Sequence, residues 1–319
     1  MRKIAVLTSG GDAPGMNAAI RAVVRTAIYY DVEVVGVRRG YLGLMEKDFQ
    51  RMSLGSVADI IHRGGTILLT ARCDEFLSSE GREKAVANLR EEGAEGLVVI
   101  GGDGTLRGAI ELHKLGLPTI AIPGTIDNDI PCTAATIGYD TVINTVVDSI
   151  DKIRDTATSH ERVFVIEVMG RRSGFIALEA GLAGGAESIV IPEVPFNIDT
   201  VVKNIKRGNR RGKKHSIIIV AEGAIDAMEF TKEISEKTGL ETRLSILGYI
   251  QRGGSPSAKD RLLGSRMGAE AVNLLLRGES KKMLAMDGEM IRNFDIEWAI
   301  SQSKTIHLDD YRLAGILSI

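Results

Sequence analysis

Two carboxylates separated by one residue are the first candidates for chemistry in this sequence. Asp127 and Asp129 lie in the segment PGTIDND at 123–129, which follows a short apolar run. In an extended segment, residues two apart project to the same side. Transfer of a phosphoryl group to a hydroxyl needs one carboxylate that accepts the proton and another that holds a metal ion. We therefore predict that Asp127 is the base and that Asp129 lies on the magnesium side.

Two other segments rich in Gly and Asp also follow apolar runs. They are TSGGDAPG at 8–15 and GGDGT at 101–105; with 123–129, we call them the first, second and third glycine loops in chain order. Glycine lets the backbone approach a phosphate, and a following helix offers free N–H groups. Asp103 supplies a hard oxygen of the kind that Mg²⁺ prefers. One such loop alone could be an ordinary turn, but three predict a phosphate site.

Several familiar motifs are absent from the sequence. There is no GxxxxGK[ST], which argues against a P-loop kinase. Residues 102–108 loosely match a dinucleotide fingerprint, but no acidic residue ends the next strand, where a ribose partner would be needed. Cys73 and Cys132 stand apart from other cysteines, which predicts neither a disulfide scaffold nor a sulfur-ligated zinc site and fits a reducing compartment.

Composition excludes several kinds of partner. The 319 residues are 44% hydrophobic and 26% charged, with a formal net charge of -2, so no global field attracts nucleic acid or an anionic membrane. Aromatic residues make up 4% and are not interleaved with basic ones, as single-strand binders require. No apolar stretch is long enough to span a bilayer. We expect a soluble, cytoplasmic protein with no nucleic-acid or membrane partner.

Short runs rich in Val and Ile alternate with amphipathic segments, which predicts a doubly wound α/β fold with a mainly parallel sheet. The predicted strands are 4–7, 32–37, 96–101, 119–124, 163–168, 188–191 and 216–223. The predicted helices are 15–30, 81–93, 104–115, 137–156, 173–184, 198–209 and 258–277. We predict two lobes, 1–138 plus 251–301 and 139–250 plus 302–319, with Trp298 in a core. Ligands should bind in the loops at the carboxyl ends of the strands.

The motifs together resemble one family. They are TSGGDAPGMNAAIR (8–21), GGDGT (101–105), PGTIDND (123–129), SHERVFVIEVMGRRSG (159–174) and QRGGSP (251–256). In this order they resemble the bacterial ATP-dependent phosphofructokinases, although GGDGT alone also resembles NAD kinases and diacylglycerol kinases. The resemblance implies two Rossmann-like lobes. It also implies transfer of a phosphoryl group from Mg²⁺-bound ATP to the 1-hydroxyl of fructose 6-phosphate, giving fructose 1,6-bisphosphate and ADP.

The resemblance also assigns site residues. It implies that ATP is held by Gly11, Arg72, Cys73, Gly102, Asp103, Gly104 and Thr105, with Asp103 and Asp129 at the metal. It places Thr125, Ile126, Asp127, Arg72 and Arg171 around the reacting atoms, and Met169, Gly170, Arg171 and Glu222 on the sugar. The 6-phosphate would contact Arg162, Arg243, Tyr249 and Arg252, with Arg162 and Arg243 coming from a neighbouring subunit of a homotetramer.

Tyr249 departs from the family pattern, which usually has histidine in LGH-x-QRGG. Histidine can carry a charge near neutral pH, whereas a tyrosine hydroxyl donates a neutral hydrogen bond. The departure predicts altered strength of 6-phosphate binding and leaves the reaction itself unchanged.

A second set of mainly basic residues would by itself be interpreted as surface charge. The resemblance instead implies a nucleotide effector site between subunits that binds ADP or phosphoenolpyruvate. Its residues are Arg21, Arg25, Asp59, Arg154, Gly185, Glu187, Arg211, Lys213, Lys214 and His215. Such a site could shift a two-state tetramer.

Three readings compete at this stage. The first is an ATP-dependent sugar-phosphate kinase. The second changes the ligands, to a diphosphate-dependent phosphofructokinase or an NAD or lipid kinase. The third is a silent nucleotide-sensing subunit, against which Asp127 argues because such a subunit needs no base. Gly104 and Gly124 favour ATP, since relatives that use diphosphate resemble this chain but carry Asp and Lys there, and glycine leaves open space.

Overall fold

A computed structural model describes residues 1–318 as an α/β protein with two sheets. The strands are β1 Lys3–Ser9, β2 Glu33–Val37, β3 Phe49–Met52, β4 Gly96–Gly101, β5 Thr119–Pro123, β6 Val163–Val168, β7 Ser188–Val190, β8 Ser216–Ala221, β9 Thr242–Ile246, β10 Lys282–Asp287 and β11 Met290–Asp295. The helices are α1 Met16–Tyr29, α2 Tyr41–Glu46, α3 Ser79–Glu91, α4 Asp103–Lys114, α5 Tyr139–His160, α6 Phe175–Ala183, α7 Ile198–Arg210, α8 Ala227–Thr238, α9 Ala258–Leu276, α10 Ile296–Ser301 and α11 Leu308–Leu317. In the described part of the chain, no helix is long and apolar enough to cross a membrane.

The chain divides into two compact units. The first unit contains residues 1–126, 130–141 and 252–304. The second contains residues 127–129, 142–251 and 305–319. The predicted lobe limits stay a prediction, because compactness alone does not show that either unit folds independently.

The first unit is built on a seven-stranded sheet of order β11-β10-β5-β4-β1-β2-β3. Its central pairs are parallel, and only β2–β3 and β10–β11 are antiparallel. Strand β1 is buried from Ile4 to Leu7 and strand β4 is buried throughout, as expected for strands covered on both faces. The first and second glycine loops begin at the carboxyl ends of the neighbouring strands β1 and β4, and the third begins at the end of β5. The expectation that the three loops start along one sheet edge is therefore confirmed.

Helices α1 and α9 approach each other closely within the first unit. A Cβ atom on Gly264 would lie 2.8 Å from the carbonyl oxygen of Gly15, and one on Gly268 would lie 2.5 Å from that of Ala19. Both distances are shorter than real Cβ contacts, so only glycine permits this backbone separation. The close packing against α9 at Gly264 and Gly268 fixes the position of α1, the helix that follows the first glycine loop.

The second unit has a four-stranded parallel sheet of order β7-β8-β6-β9. Every residue of β8 is buried, and β6 is buried except at Phe164 and Glu167. Helices α7 and α8 contribute Val201, Ile205, Phe230 and Ile234 to the core over this sheet. The predicted α/β class with mainly parallel sheets is confirmed in both units.

Several elements are absent from the sequence prediction. They are β3, β9, β10, β11, α2, α8, α10 and α11, and the strands among them have mixed or largely exposed patterns. The prediction that Trp298 is a core residue is wrong. Trp298 lies on α10, is 50% exposed and packs beside Phe294, with ring centroids 5.5 Å apart.

Candidate active site

The first two glycine loops are joined by a hydrogen bond within the first unit. The Thr105 hydroxyl donates to the Ser9 carbonyl at 3.0 Å, and the Thr70 hydroxyl donates to the Gly10 carbonyl at 2.6 Å. Gly10 has a φ of 82°, a left-handed conformation that glycine adopts without strain. The Thr105 contact joins the two loops directly, and the Thr70 contact fixes the first loop to a separate segment.

Helix α4 begins at Asp103, directly after Gly102, which has no side chain with which to cap it. The amide groups of the first turn therefore point out of the helix, as at other anion-binding helix starts. A Cβ atom on Gly104 would have no heavy atom within 4 Å among the described residues. Open space at Gly104 is thus confirmed.

Open space was also expected at Gly124, but the structure shows close neighbours there. A Cβ atom there would lie 3.2 Å from side-chain atoms of both Ile100 and Met16, which is tighter than ordinary contact. The expectation of open space at this glycine is wrong, because the core beneath β4 and α1 reaches the loop.

Asp103 has the character of a magnesium ligand but no closed cage around it. Its carboxylate is 47% exposed and lies 2.8 Å from the Nε atom of Arg107, one turn further along α4. Within residues 1–318, no three His, Cys, Asp or Glu side chains are grouped so as to hold a metal ion. This arrangement fits Mg²⁺, which usually takes one or two carboxylates and completes its shell with water and phosphate oxygens.

An aromatic stack lies beside the second glycine loop. Tyr41 and Phe76 are parallel, with centroids 4.0 Å apart and planes at 5°, and the Tyr41 hydroxyl donates to the Thr105 carbonyl at 2.5 Å. Burial raises the pKa of Tyr41, so its hydroxyl remains a donor. Of the two residues predicted to contact ATP from this region, Arg72 is exposed and Cys73 is half-buried. Cys73 packs against the core that contains this stack. Sequence reasoning missed Tyr41 and Phe76, because their pairing depends on residues far apart in the chain.

Arg252 lies against the first glycine loop. Its Nη2 atom donates to the Asp12 carboxylate at 2.9 Å, and a Cβ atom on Gly11 would collide with its guanidinium. Gly11, a predicted nucleotide contact, is therefore adjacent to Arg252, a predicted 6-phosphate contact, within the first unit. Asp12, which the sequence reasoning left without a role, holds this guanidinium in place.

The third glycine loop is not extended as expected. Thr125 is held by its amide, which donates to the Ile137 carbonyl at 3.1 Å, and by its carbonyl, which accepts from the Thr136 hydroxyl at 2.6 Å. Asn128 has a φ of 51°, so the argument that alternate residues project to one side is wrong here. Asp127 is buried, whereas Asp129 is half-buried. The turn gives the two carboxylates different surroundings.

The second unit brings Asp127 and Arg171 together. The Asp127 carboxylate, 5% exposed, lies 3.2 Å from the Nε atom of Arg171, which is 66% exposed. The Ser173 hydroxyl donates to the Asp127 carbonyl at 3.3 Å. Arg171 has a φ of 54°, and a non-glycine residue in this conformation is a strained position of the kind that functional sites retain.

The predicted sugar contacts lie around the same turn. The Arg171 amide donates to a Glu222 carboxylate oxygen at 2.7 Å, and the Met169 amide donates to the Gln251 side chain at 3.1 Å. Burial, and then the charge of Glu222, raises the pKa of Glu167. Gln251 was missed as a site residue although it begins the quoted QRGGSP motif. Tyr249 is 77% exposed, on the short helix Gly248–Gln251.

The predicted effector residues divide between the two units. Arg21, Arg25 and Asp59 belong to the first, and the other seven belong to the second. In the second unit Lys213 pairs with the buried Glu187. Burial lowers the pKa values of Lys213 and His215, and the positive charge of Arg154 lowers them further. Lys213 and His215 therefore both lie in the positive field of Arg154, which a bound anion would offset.

Three of the predicted effector residues of the second unit have other surroundings. Arg154 donates to the Gly184 and Gly185 carbonyls. Lys214 pairs with Glu161 at 2.7 Å, and Arg211 is exposed directly after α7.

Comparison with known proteins agrees with this arrangement. The model of the phosphofructokinase family matches residues 3–275. The chain is 61% identical to a protein of Halothermothrix orenii and 60% identical to one of Bacillus subtilis, each covering 100% of both chains and each named ATP-dependent 6-phosphofructokinase. The chain belongs to the phosphofructokinase family. This membership removes the NAD kinase and lipid kinase readings.

Solved structures show the same fold. A phosphofructokinase of Saccharomyces cerevisiae superposes with a TM-score of 0.91 at 36% identity, covering 100% of this chain and 48% of that one. A pyrophosphate-dependent phosphofructokinase of Marinobacter aquaeolei gives a TM-score of 0.88 at 22% identity, covering 97% of this chain and 86% of that one. The second likeness shows the fold alone, and therefore does not speak to the phosphoryl donor.

Proposed function

We propose that the chain is an ATP-dependent 6-phosphofructokinase that phosphorylates the 1-hydroxyl of fructose 6-phosphate, a step of glycolysis that would take place in the cytoplasm. The observation that carries the proposal is the buried Asp127 carboxylate beside Arg171, in a chain about 60% identical over its whole length to relatives of this name. A buried carboxylate next to an exposed cation can accept a proton from a hydroxyl that approaches from solvent.

The chemical step follows from the residues of the chain. The O–H bond of the acceptor hydroxyl breaks, its proton passes to Asp127, and the hydroxyl oxygen forms a bond to the γ-phosphorus of ATP as the bond to ADP breaks. The amide groups at the start of α4 and the first glycine loop would hold the phosphates. Arg72 and Arg171 offset the negative charge that spreads over the moving group.

Asp103 and Asp129 would hold Mg²⁺. When bound, the ion would offset part of the negative charge of the ATP phosphates. The exposed carboxylate of Asp103 and the open helix start support this assignment.

The donor is ATP rather than diphosphate in this proposal. Open space at Gly104 supports it, because ATP needs room beyond the two phosphates that diphosphate also has. The tight surroundings of Gly124 add a second reason. A lysine there would have to displace Ile100 or Met16 before it could reach a phosphate.

Two further features belong to the proposal. Arg162 and Arg243 would complete the 6-phosphate site of a neighbouring subunit in a homotetramer. ADP or phosphoenolpyruvate would bind at Arg154, Lys213 and His215 and shift the response to fructose 6-phosphate. Burial and the positive charge of Arg154 lower the pKa values of both Lys213 and His215, which supports an anion at this place.

One experiment tests the central proposal. The protein is incubated with fructose 6-phosphate and magnesium, together with ATP, diphosphate or no donor, and bisphosphate formation is followed by phosphorus NMR. We expect product with ATP alone. Equal turnover with diphosphate would reassign the donor, and turnover with neither would remove the proposed activity.

A further inference from the structure

Two of the predicted 6-phosphate ligands share one carboxylate in the second unit. The Glu241 Oε2 atom lies 2.8 Å from the Nε atom of Arg162, and its other oxygen pairs with the Nη2 atom of Arg243. Each guanidinium therefore has an oxygen of its own. No role was assigned to Glu241 from the sequence.

Strand pairing fixes the backbone under this bridge. Strands β6 and β9 are parallel, with Phe164 opposite Arg243, and the Val163 amide donates to the Glu241 carbonyl at 3.0 Å. Arg162 precedes β6 by one residue and Glu241 precedes β9 by one residue. The bridge therefore lies where two paired strands begin, and its geometry does not depend on a flexible loop.

The contacts leave donors available on both arginines. The ion pair with Glu241 uses the Nε atom of Arg162, so its two terminal Nη atoms are left to donate to a phosphate. Two guanidinium groups so close together would repel each other without a shared anion. The two arginines in turn hold the pKa of Glu241 below its usual value, chiefly through the close contact with Arg162.

We propose that Glu241 is a positioning residue, which holds Arg162 and Arg243 together as a preformed clamp for the phosphate of the acceptor sugar. The inference rests on the proposed function, since that function gives the two arginines a ligand. The carboxylate itself does not contact the substrate. Its effect is to reduce the conformational freedom that the two long side chains lose on binding.

The test is steady-state kinetics of Glu241→Ala and Glu241→Gln beside the wild-type chain and Arg162→Ala. We expect Glu241→Ala to raise the KM for fructose 6-phosphate by roughly tenfold, with kcat and the KM for ATP changed by less than about twofold, as for loss of uniform binding. Glu241→Gln keeps an oxygen acceptor in the same place and should recover part of the affinity. Glu236→Ala removes an exposed glutamate of α8 and serves as the matched control.

The possible outcomes separate the two proposals. A wild-type chain that does not phosphorylate fructose 6-phosphate overturns both. Suppose instead that the wild type is active and that Arg162→Ala raises the KM for fructose 6-phosphate. An unchanged KM in Glu241→Ala would then overturn the Glu241 inference and leave the proposed function intact. A lowered KM would overturn it as well, because it would show that the carboxylate competes with phosphate. Thermal unfolding of each variant shows whether the fold is intact, and Glu241→Gln tests the inference if the alanine variant does not fold.

Discussion

The Asp127 carboxylate is almost completely buried, whereas the Arg171 guanidinium that pairs with it at 3.2 Å is mostly in solvent. A carboxylate in this position is shielded from water on the protein side and partly neutralised on the open side. An incoming hydroxyl would meet the carboxylate beside an exposed cation. In the proposed reaction, the pair would combine a buried proton acceptor with a positive charge on the solvent side.

The role of Asp127 is tested by Asp127→Ser. We expect kcat to fall by roughly 10²–10⁴, the range typical for loss of a general base. The KM for fructose 6-phosphate should change far less, because the carboxylate acts mainly in the transition state. Steady-state kinetics measures both, with the exposed Asp148→Ser on α5 as control. Turnover near that of the wild type would remove Asp127 from the mechanism.

The donor site is tested at Gly104, where alanine and aspartate form a matched pair. A methyl group meets no neighbour within 4 Å, so Gly104→Ala should retain most of its ATP-dependent activity. Gly104→Asp puts a negative charge and a longer side chain beside the phosphates and should lower kcat/KM for ATP by at least about tenfold, because like charges repel and the side chain fills the open space. Equal losses in the two variants would show that the backbone at Gly104, and not the charge, decides activity.

The effector site is tested by the double change Arg154→Ala and Arg211→Ala. The wild-type saturation curve for fructose 6-phosphate should shift when ADP or phosphoenolpyruvate is added, and the shift should vanish in the double variant while kcat is retained. Lys152→Ala removes an exposed cation from the same helix and should leave the shift intact. A shift that survives in the double variant would place the effector elsewhere.

The shared site is tested through assembly. If Arg162 and Arg243 act on a neighbouring subunit, the active species must be an oligomer, and activity should decline on dilution as that oligomer dissociates. Analytical ultracentrifugation at assay concentrations measures the assembly directly. A monomer with full activity would contradict the proposal.

Asp260 should give the fold a pH dependence of defined sign. This residue of α9 is buried, and it accepts hydrogen bonds at 2.8 Å from the amides of Gly138 and Thr141, where α5 begins. Burial raises the pKa of Asp260 above its usual 3.8. The folded chain therefore holds this proton more tightly than the unfolded chain. The contribution of protonation to stability is full below the unfolded pKa and is lost as the pH rises through the folded pKa.

Asp260→Asn removes that titration and leaves one amide of α5 without its acceptor. We expect the free energy of unfolding of the variant to be lower than that of the wild type by about 1–3 kcal/mol. This gap in unfolding free energy should narrow as the pH rises from about 4 to 7, because the wild type loses its stabilising protonation over that range. Urea unfolding at several pH values measures the gap. The exposed hairpin variant Asp287→Asn is the control, and a gap that widens with pH would contradict the sign.

The sequence predicts the parts of this protein that local patterns determine. Strands β1 and β4 are continuous apolar runs, and the glycine loops that follow them carry their chemistry within a few residues. Edge strands such as β3 and β11 have mixed patterns, and they form because a partner strand lies beside them. The left-handed backbone conformation of Asn128 was not predicted either, because the sequence of this loop is compatible with several backbone conformations.

Other features escaped because they depend on residues far apart in the chain. Glu241 meets Arg162 only through the parallel pairing of β6 and β9, and Arg252 meets Asp12 across 240 positions. No local spacing signals either contact. The motif resemblance supplied candidate residues for the site, but it could not supply the carboxylates that hold their side chains.

The close packing of α1 against α9 has a consequence for synthesis on the ribosome. Helix α1 ends at Tyr29, whereas its partner begins at Ala258. At the ordinary rate of roughly 5–20 residues per second, α1 is complete on the order of ten to fifty seconds before α9 exists. During that interval the face formed by Ala18 and Ala19 has no helix to cover it. The nascent first unit therefore passes through a stage of exposed apolar surface, during which chaperones can bind it.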